Sequence, residues 1–280
     1  MHRTGATRRP ERRRLALRLA EPWPLRPALV ALLMALIAAS ATPWEPARAK
    51  NGGTSFPLPT APDGRWTVGC TSSSGLTFNG PRSRRTVALT FDDGPSLRYT
   101  PRILAILGHA NVKATFFILG KHVRGREELL REMLRSGHEI ANHSFRHPEY
   151  PSGGELRATN LLIQTATGFT PCQFRPPYGL VNGKVLTAAG RNSLRTVLWD
   201  VESLDSRHPG AAAVRANVLN YSQPGSIVLM HDGGKHPETV AALPGILAGL
   251  KARGFNFTTV TQLLDGRFIY SGRPPAVLIE

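Results

Sequence analysis

Asp92 and Asp93 stand side by side in Thr90-Phe91-Asp92-Asp93-Gly94-Pro95, directly after the apolar run Val87-Ala88-Leu89. The run reads as a short buried strand that Gly94-Pro95 stops, so both acids sit at a strand's carboxyl end, where α/β folds build their sites. Neighbouring residues there point in different directions. One carboxylate can then ligate a metal while the other handles protons. Taken alone, Asp-Asp-Gly-Pro reads equally well as a plain turn.

Asn142-His143-Ser144-Phe145-Arg146-His147-Pro148 holds two histidines four residues apart. On a helical turn they face the same way and can grip one metal. With Asp93 they make two imidazoles and a carboxylate, leaving positions open for water and substrate. A metal held so acidifies its water and polarises a carbonyl. Phe174-Arg175-Pro176-Pro177-Tyr178-Gly179 is a stiff loop ending in a permissive glycine, able to hold a guanidinium against a carboxylate and aim a backbone N–H into a cavity. Trp199-Asp200-Val201-Glu202-Ser203-Leu204-Asp205 and Ile227-Val228-Leu229-Met230-His231-Asp232 each end an apolar strand in polar groups. Singly, these are a surface pair, a proline-rich turn and solvated strand ends. Five polar strand ends in one chain are harder to dismiss.

The elements that must position them alternate. The run 87–91 precedes a helix near 99–110, then a strand over 114–119 and a helix over 126–136 that Gly137 ends. Further strands read at 194–199, 226–230 and near 255–258. Val240, Leu243, Ile246, Leu247 and Leu250 keep helical spacing, in a helix that Pro244 must kink or break. Strands alternating with helices argue for a parallel α/β sheet or barrel.

The five segments, in this order, resemble the motifs of the polysaccharide deacetylases with the NodB homology domain (carbohydrate esterase family 4), over about 85 to 265; Ala114-Thr115-Phe116-Phe117 fits as well. The resemblance implies a single catalytic domain with an irregular (β/α) barrel. It implies that Asp93, His143 and His147 bind one divalent metal, usually zinc, with cobalt also possible. Asp92 would be the general base toward the attacking water, oriented by Arg175, and the Tyr178 backbone N–H would face the oxyanion. His231 would be the general acid, tuned by Asp205, and Leu229 would line the acetyl pocket. The family's Asp-x-x-Asp-Trp reads Glu202-Ser203-Leu204-Asp205-Ser206 here, a departure that bears on pocket shape more than on chemistry.

The implied activity is removal of N-acetyl groups from an N-acetylated glycan, with peptidoglycan amino sugars preferred, chitin oligomers next and O-acetylated xylan third. A silent glycan-binding module is the alternative from another class. It would be expected to lack Asp92, a metal ligand or His231, and the chain keeps them all. A monomer is expected.

The first 50 residues hold ten Lys or Arg against three Glu, with Arg8, Arg9, Arg12, Arg13 and Arg14 ahead of the apolar run Pro27 to Ala41. This reads as an export signal, with cleavage candidates at Ala39-Ser40-Ala41 and Ala47-Arg48-Ala49, or as an uncleaved membrane anchor. Residues 1–49 are therefore assigned to signal or anchor, 50–84 to a linker and lead-in rich in Pro, Gly, Ser and Thr, and 85–280 to the catalytic domain. The expected place is outside the cell, secreted or membrane-anchored. The remaining residues still carry about nine of the sixteen net positive charges, which suits an anionic cell envelope. No aromatic interleaving supports a nucleic-acid partner. Cys70 and Cys172 are the only cysteines; in an exported chain they suggest one disulfide, though two thiols are equally compatible with the count.

Overall fold

The apolar run around Leu89 is the middle of a curled parallel sheet. In the computed structural model, which describes residues 64–72 and 74–273, β3 (Thr86–Gly94) pairs with β4 (Thr115–Ile118) on one side and with β9 (Ile227–His231) on the other. Val87, Ala88, Leu89 and Phe91 are fully buried, as two-sided burial between helices demands of a central parallel strand. Beyond β4 the sheet continues through β5 (Glu139–Asn142), β6 (Gln173–Phe174), β7 (Arg195–Val197) and β2 (Leu76–Thr77). Beyond β9 lies β8 (Val201–Glu202), and β10 (Asn256–Thr258) pairs with the start of β3. The two edges do not pair, so the barrel is open, a half-barrel.

Seven α-helices complete the described residues: α1 (Thr100–His109), α2 (Glu127–Arg135), α3 (Gly153–Thr167), α4 (Gly183–Arg191), α5 (Ala211–Tyr221), α6 (Pro237–Ala252) and α7 (Val260–Leu263). Ile103 and Leu107 of α1, Leu130 and Met133 of α2 and Leu243 and Ile246 of α6 enter one core with Phe91 and Phe116. The helix expected from the spacing of Val240 to Leu250 runs through Pro244 without a break. That residue lies on the exposed side of the helix.

The lead-in is structured from Trp66, contrary to a linker reading. β1 (Trp66–Cys70) pairs antiparallel with β11 (Phe268–Ser271), and Cys70 is disulfide-bonded to Cys172, just before β6. The segment's Gly, Ser and Thr content hid a strand that bonding from the far end of the chain creates. The signal or anchor assigned to residues 1–49 lies outside the described residues. Among those described, no helix is long and apolar enough to cross a membrane.

Candidate active site

The paired acids reach one cavity because β3 is irregular there. Asp92 pairs with Phe117 and Gly94 with Ile118, which leaves Asp93 as an unpaired bulge residue at φ 71°. The bulge cancels the alternation that would send neighbouring side chains to opposite faces. His122 Nδ1 lies 2.9 Å from the Asp93 carbonyl oxygen and braces the turn. From β9, the N–H groups of Asp232 and Gly233 both donate to the Asp92 carbonyl. Gly233 is needed for this approach, since a Cβ there would lie 2.3 Å from the Asp93 carbonyl oxygen.

Asp93, His143 and His147 present one ligand atom each, all within 4.8 Å of one another. His143 Nε2 and His147 Nε2 each lie 3.4 Å from Asp93 Oδ1. That oxygen is buried and has no hydrogen-bond partner, so the three groups fit a shared cation. The histidines do not sit on a helical turn. They lie in the loop after β5, where Ser144 and His147 both take φ 70° and fold the loop back so that the rings meet at 5.0 Å. Burial opposes the His143 imidazolium, but the Asp92 and Asp93 charges prevail and raise its pKa. At Asp93 burial opposes ionisation, yet the nearness and charge of His143, then of His147, hold its carboxyl well below the usual range.

Arg175 is fully buried under this cluster. Its Nη1 donates to Asp92 Oδ1 and to Thr90 Oγ1, each at 2.7 Å, while Nε and Nη2 donate to the Val197 and Leu198 carbonyls. The guanidinium also stacks 4.1 Å from the centroid of Phe117. Tyr178 takes φ 57° and lays its ring 4.5 Å from that of His147.

His231, at the end of β9, meets Asp205 across 2.8 Å from Nδ1, and the same carboxylate accepts from the His231 N–H and the Thr239 hydroxyl. Burial alone would lower the His231 pKa, but the bond to Asp205 and its charge, then Asp92 and Asp93, push it up to about 9. Asp205 reaches His231 because the chain leaves β7, next to β2 at one margin of the sheet, and re-enters as β8 beside β9 at the other. Leu229 is buried on β9, in register with Thr90. Ser206 is exposed, and Trp199 is committed elsewhere, its ring edge 2.8 Å from where a Cβ on Gly179 would be. The rings on this side of His231 are His236, at 5.0 Å, and His208 beyond it.

Sequence reading missed Asp232 as more than His231's neighbour. It is fully buried, accepts a short hydrogen bond from Thr100, and burial with the nearby acids pushes its pKa up to about 7. Its only sequence signal was a polar residue closing an apolar strand. His122 and Thr100 carried none.

A family model for polysaccharide deacetylase matches residues 79–197. A peptidoglycan-N-acetylglucosamine deacetylase of Bacillus cereus is 36% identical over 197 residues, spanning 68% of this chain and 92% of that one. A chitooligosaccharide deacetylase of Sinorhizobium fredii is 36% identical over 194 residues, 63% of this chain and 90% of that one. The crystal structure of the Bc1960 peptidoglycan N-acetylglucosamine deacetylase, in complex with an N-hydroxybenzamide, aligns with a TM-score of 0.65 at 34% identity, covering 68% of this chain and 92% of that one. An open parallel half-barrel with acids and histidines at its strand ends defines a hydrolase of the carbohydrate esterase 4 type. The chain belongs to the polysaccharide deacetylase family.

Proposed function

We propose that this chain is a metal-dependent N-deacetylase of an N-acetylated glycan, with peptidoglycan amino sugars as substrate. The observation that carries the reading is the orphaned Asp93 Oδ1, held between two imidazoles while Asp92, beside it, is gripped by Arg175. Zinc suits the two-nitrogen, one-oxygen donor set. When bound, the metal supplies Lewis acidity at the carbonyl and a more acidic water.

The chain's own groups divide the remaining work. Asp92 takes a proton from the attacking water, whose oxygen bonds to the acetyl carbon. The Tyr178 N–H donates to the oxygen on which charge develops. His231 then gives its proton to the amide nitrogen as the carbon–nitrogen bond breaks, leaving acetate and a free amine. Asp205 holds His231 in the tautomer this needs, and Leu229 borders the space for the acetyl methyl. The basic surface and the N-terminal apolar run support a secreted or membrane-anchored enzyme acting outside the cell, and a monomer is the working assembly.

The likeness to a chitooligosaccharide deacetylase favours chitin oligomers as the second reading. Mass spectrometry after incubation with peptidoglycan fragments, chitin oligomers and acetyl-xylan tests both. Loss of one acetyl group from peptidoglycan sugars is expected, and action on acetyl-xylan alone would overturn the proposal.

A further inference from the structure

The loop carrying His147 runs into α3, and the loop carrying Arg175 and Tyr178 runs into α4. Between these two helices lies an open cleft of about 790 Å³. Arg157 of α3 and Lys184 and Arg191 of α4 line it, and no acidic residue does. All three cations are exposed, and among the described residues their side chains make no hydrogen bond or ion pair. The acid on the first turn of α3 does not neutralise them: both Glu155 oxygens are taken by Arg146, with the Phe145 N–H. The gap is braced, since Asn192 Nδ2 donates to the Gly153 and Ala188 carbonyls. α3 begins at the cleft and adds the positive end of its dipole to the three charges, while α4 runs along the cleft from first residue to last. Three uncompensated cations around one concave surface, on helices fed directly by the site's loops, make a trap for a carboxylate-bearing substituent.

We propose that this cleft takes the acidic peptide stems that branch from peptidoglycan, and so favours substituted glycan over bare sugar chains. The inference rests on the peptidoglycan reading above. A neutral chitin chain offers these cations nothing. A stem brings several carboxylates, attached to the sugar next to the N-acetylglucosamine being hydrolysed.

The test compares kcat/KM on peptidoglycan fragments that keep their stems with the same fragments stripped of them. The wild type is expected to prefer the stem-bearing fragments. An Arg157→Glu, Lys184→Glu, Arg191→Glu variant should lose about tenfold of that preference, through KM rather than kcat, as three screened surface pairs would give. High salt should shrink the wild-type preference in the same way. Arg102→Glu, an exposed cation of α1 away from the cleft, should leave the ratio unchanged. The inference is overturned if the triple variant keeps the wild-type ratio, or if Arg102→Glu lowers it as much. It is also overturned if a phosphate-rich wall polymer competes through these residues and stem peptides do not. Wild-type enzyme inactive on both fragments would instead sink the peptidoglycan reading, and this one with it.

Discussion

His143 and Arg175 are joined by a 2.7 Å hydrogen bond from the imidazole Nδ1 to the main-chain carbonyl oxygen. The bond makes Nδ1 the donor nitrogen of His143 and leaves Nε2, beside Asp93, as the nitrogen that can ligate a cation. The same Arg175 reaches Asp92 with its guanidinium. One buried residue thus aims the proposed metal ligand with its backbone and the proposed base with its side chain, a dependence of the kind outer-shell groups show around metal centres.

Chelation should abolish activity, and zinc or cobalt should restore it. Affinity should fall as pH drops, because the raised His143 pKa makes the proton a competitor for Nε2, and binding should release it. Calorimetry in buffers of different ionisation enthalpy reads the proton count. Uptake without proton release and with flat pH dependence would contradict the assignment, as would one equivalent of metal held by His147→Ala at wild-type affinity.

Asp92→Asn should keep the metal and lose most deacetylation, by roughly 10²–10⁴-fold, since the ligand set survives while the base is gone. Metal content and kcat measured on one preparation separate the two effects. A variant within a few-fold of wild type would pass the proton-accepting role to another group.

Asp205→Asn should shift the pH profile. His231 must be protonated to act as acid, and its raised pKa keeps it so up to about pH 9; activity falls as pH rises through that value. Removing the Asp205 bond and charge leaves burial opposed only by Asp92 and Asp93, which moves the alkaline limb to lower pH. An unmoved alkaline limb in kcat against pH would show that His231 does not set it.

The Cys70–Cys172 bridge closes a separation of 102 residues, which the chain-entropy model values at about 4–5 kcal/mol. Labelling of the unreduced, denatured protein should find no free thiol, and the double alanine variant should melt many degrees lower. Equal melting temperatures would mean that the β1–β11 pairing holds that edge without the bridge.

Ser206→Trp should narrow the substrate range, penalising lactyl-substituted sugars before plain N-acetylglucosamine oligomers. The position is exposed; of the two aromatic residues that could fill the space instead, Trp199 packs against Gly179 and Tyr150 is exposed. An unchanged kcat/KM ratio between the two sugar classes would show that the His236 and His208 rings already wall it.

Polar strand ends are commonplace singly; the five segments were legible because they recur in one chain in the order of a known family's motifs. The fold of the loop between them was not. Spacing by four made His143 and His147 look helical, and nothing in the residue types announces left-handed Ser144 and His147. The bulge at Asp93 was equally silent, though the placement of both acids depends on it. β1 and β2 form by pairing with β11 and β7, far away in sequence, so Trp66–Cys70 and Leu76–Thr77 carried no periodic signal of their own. Asp232 and Thr100, 132 residues apart, meet only once β3 and β9 are aligned.

Because Trp66 faces Ser271 across an antiparallel pair, the described chain enters and leaves within about one strand spacing, roughly 5 Å. The catalytic unit is thus a loop nearly closed on itself. A short linker could splice its ends and new termini be opened at a surface turn, a circular permutant that retains every strand of the sheet.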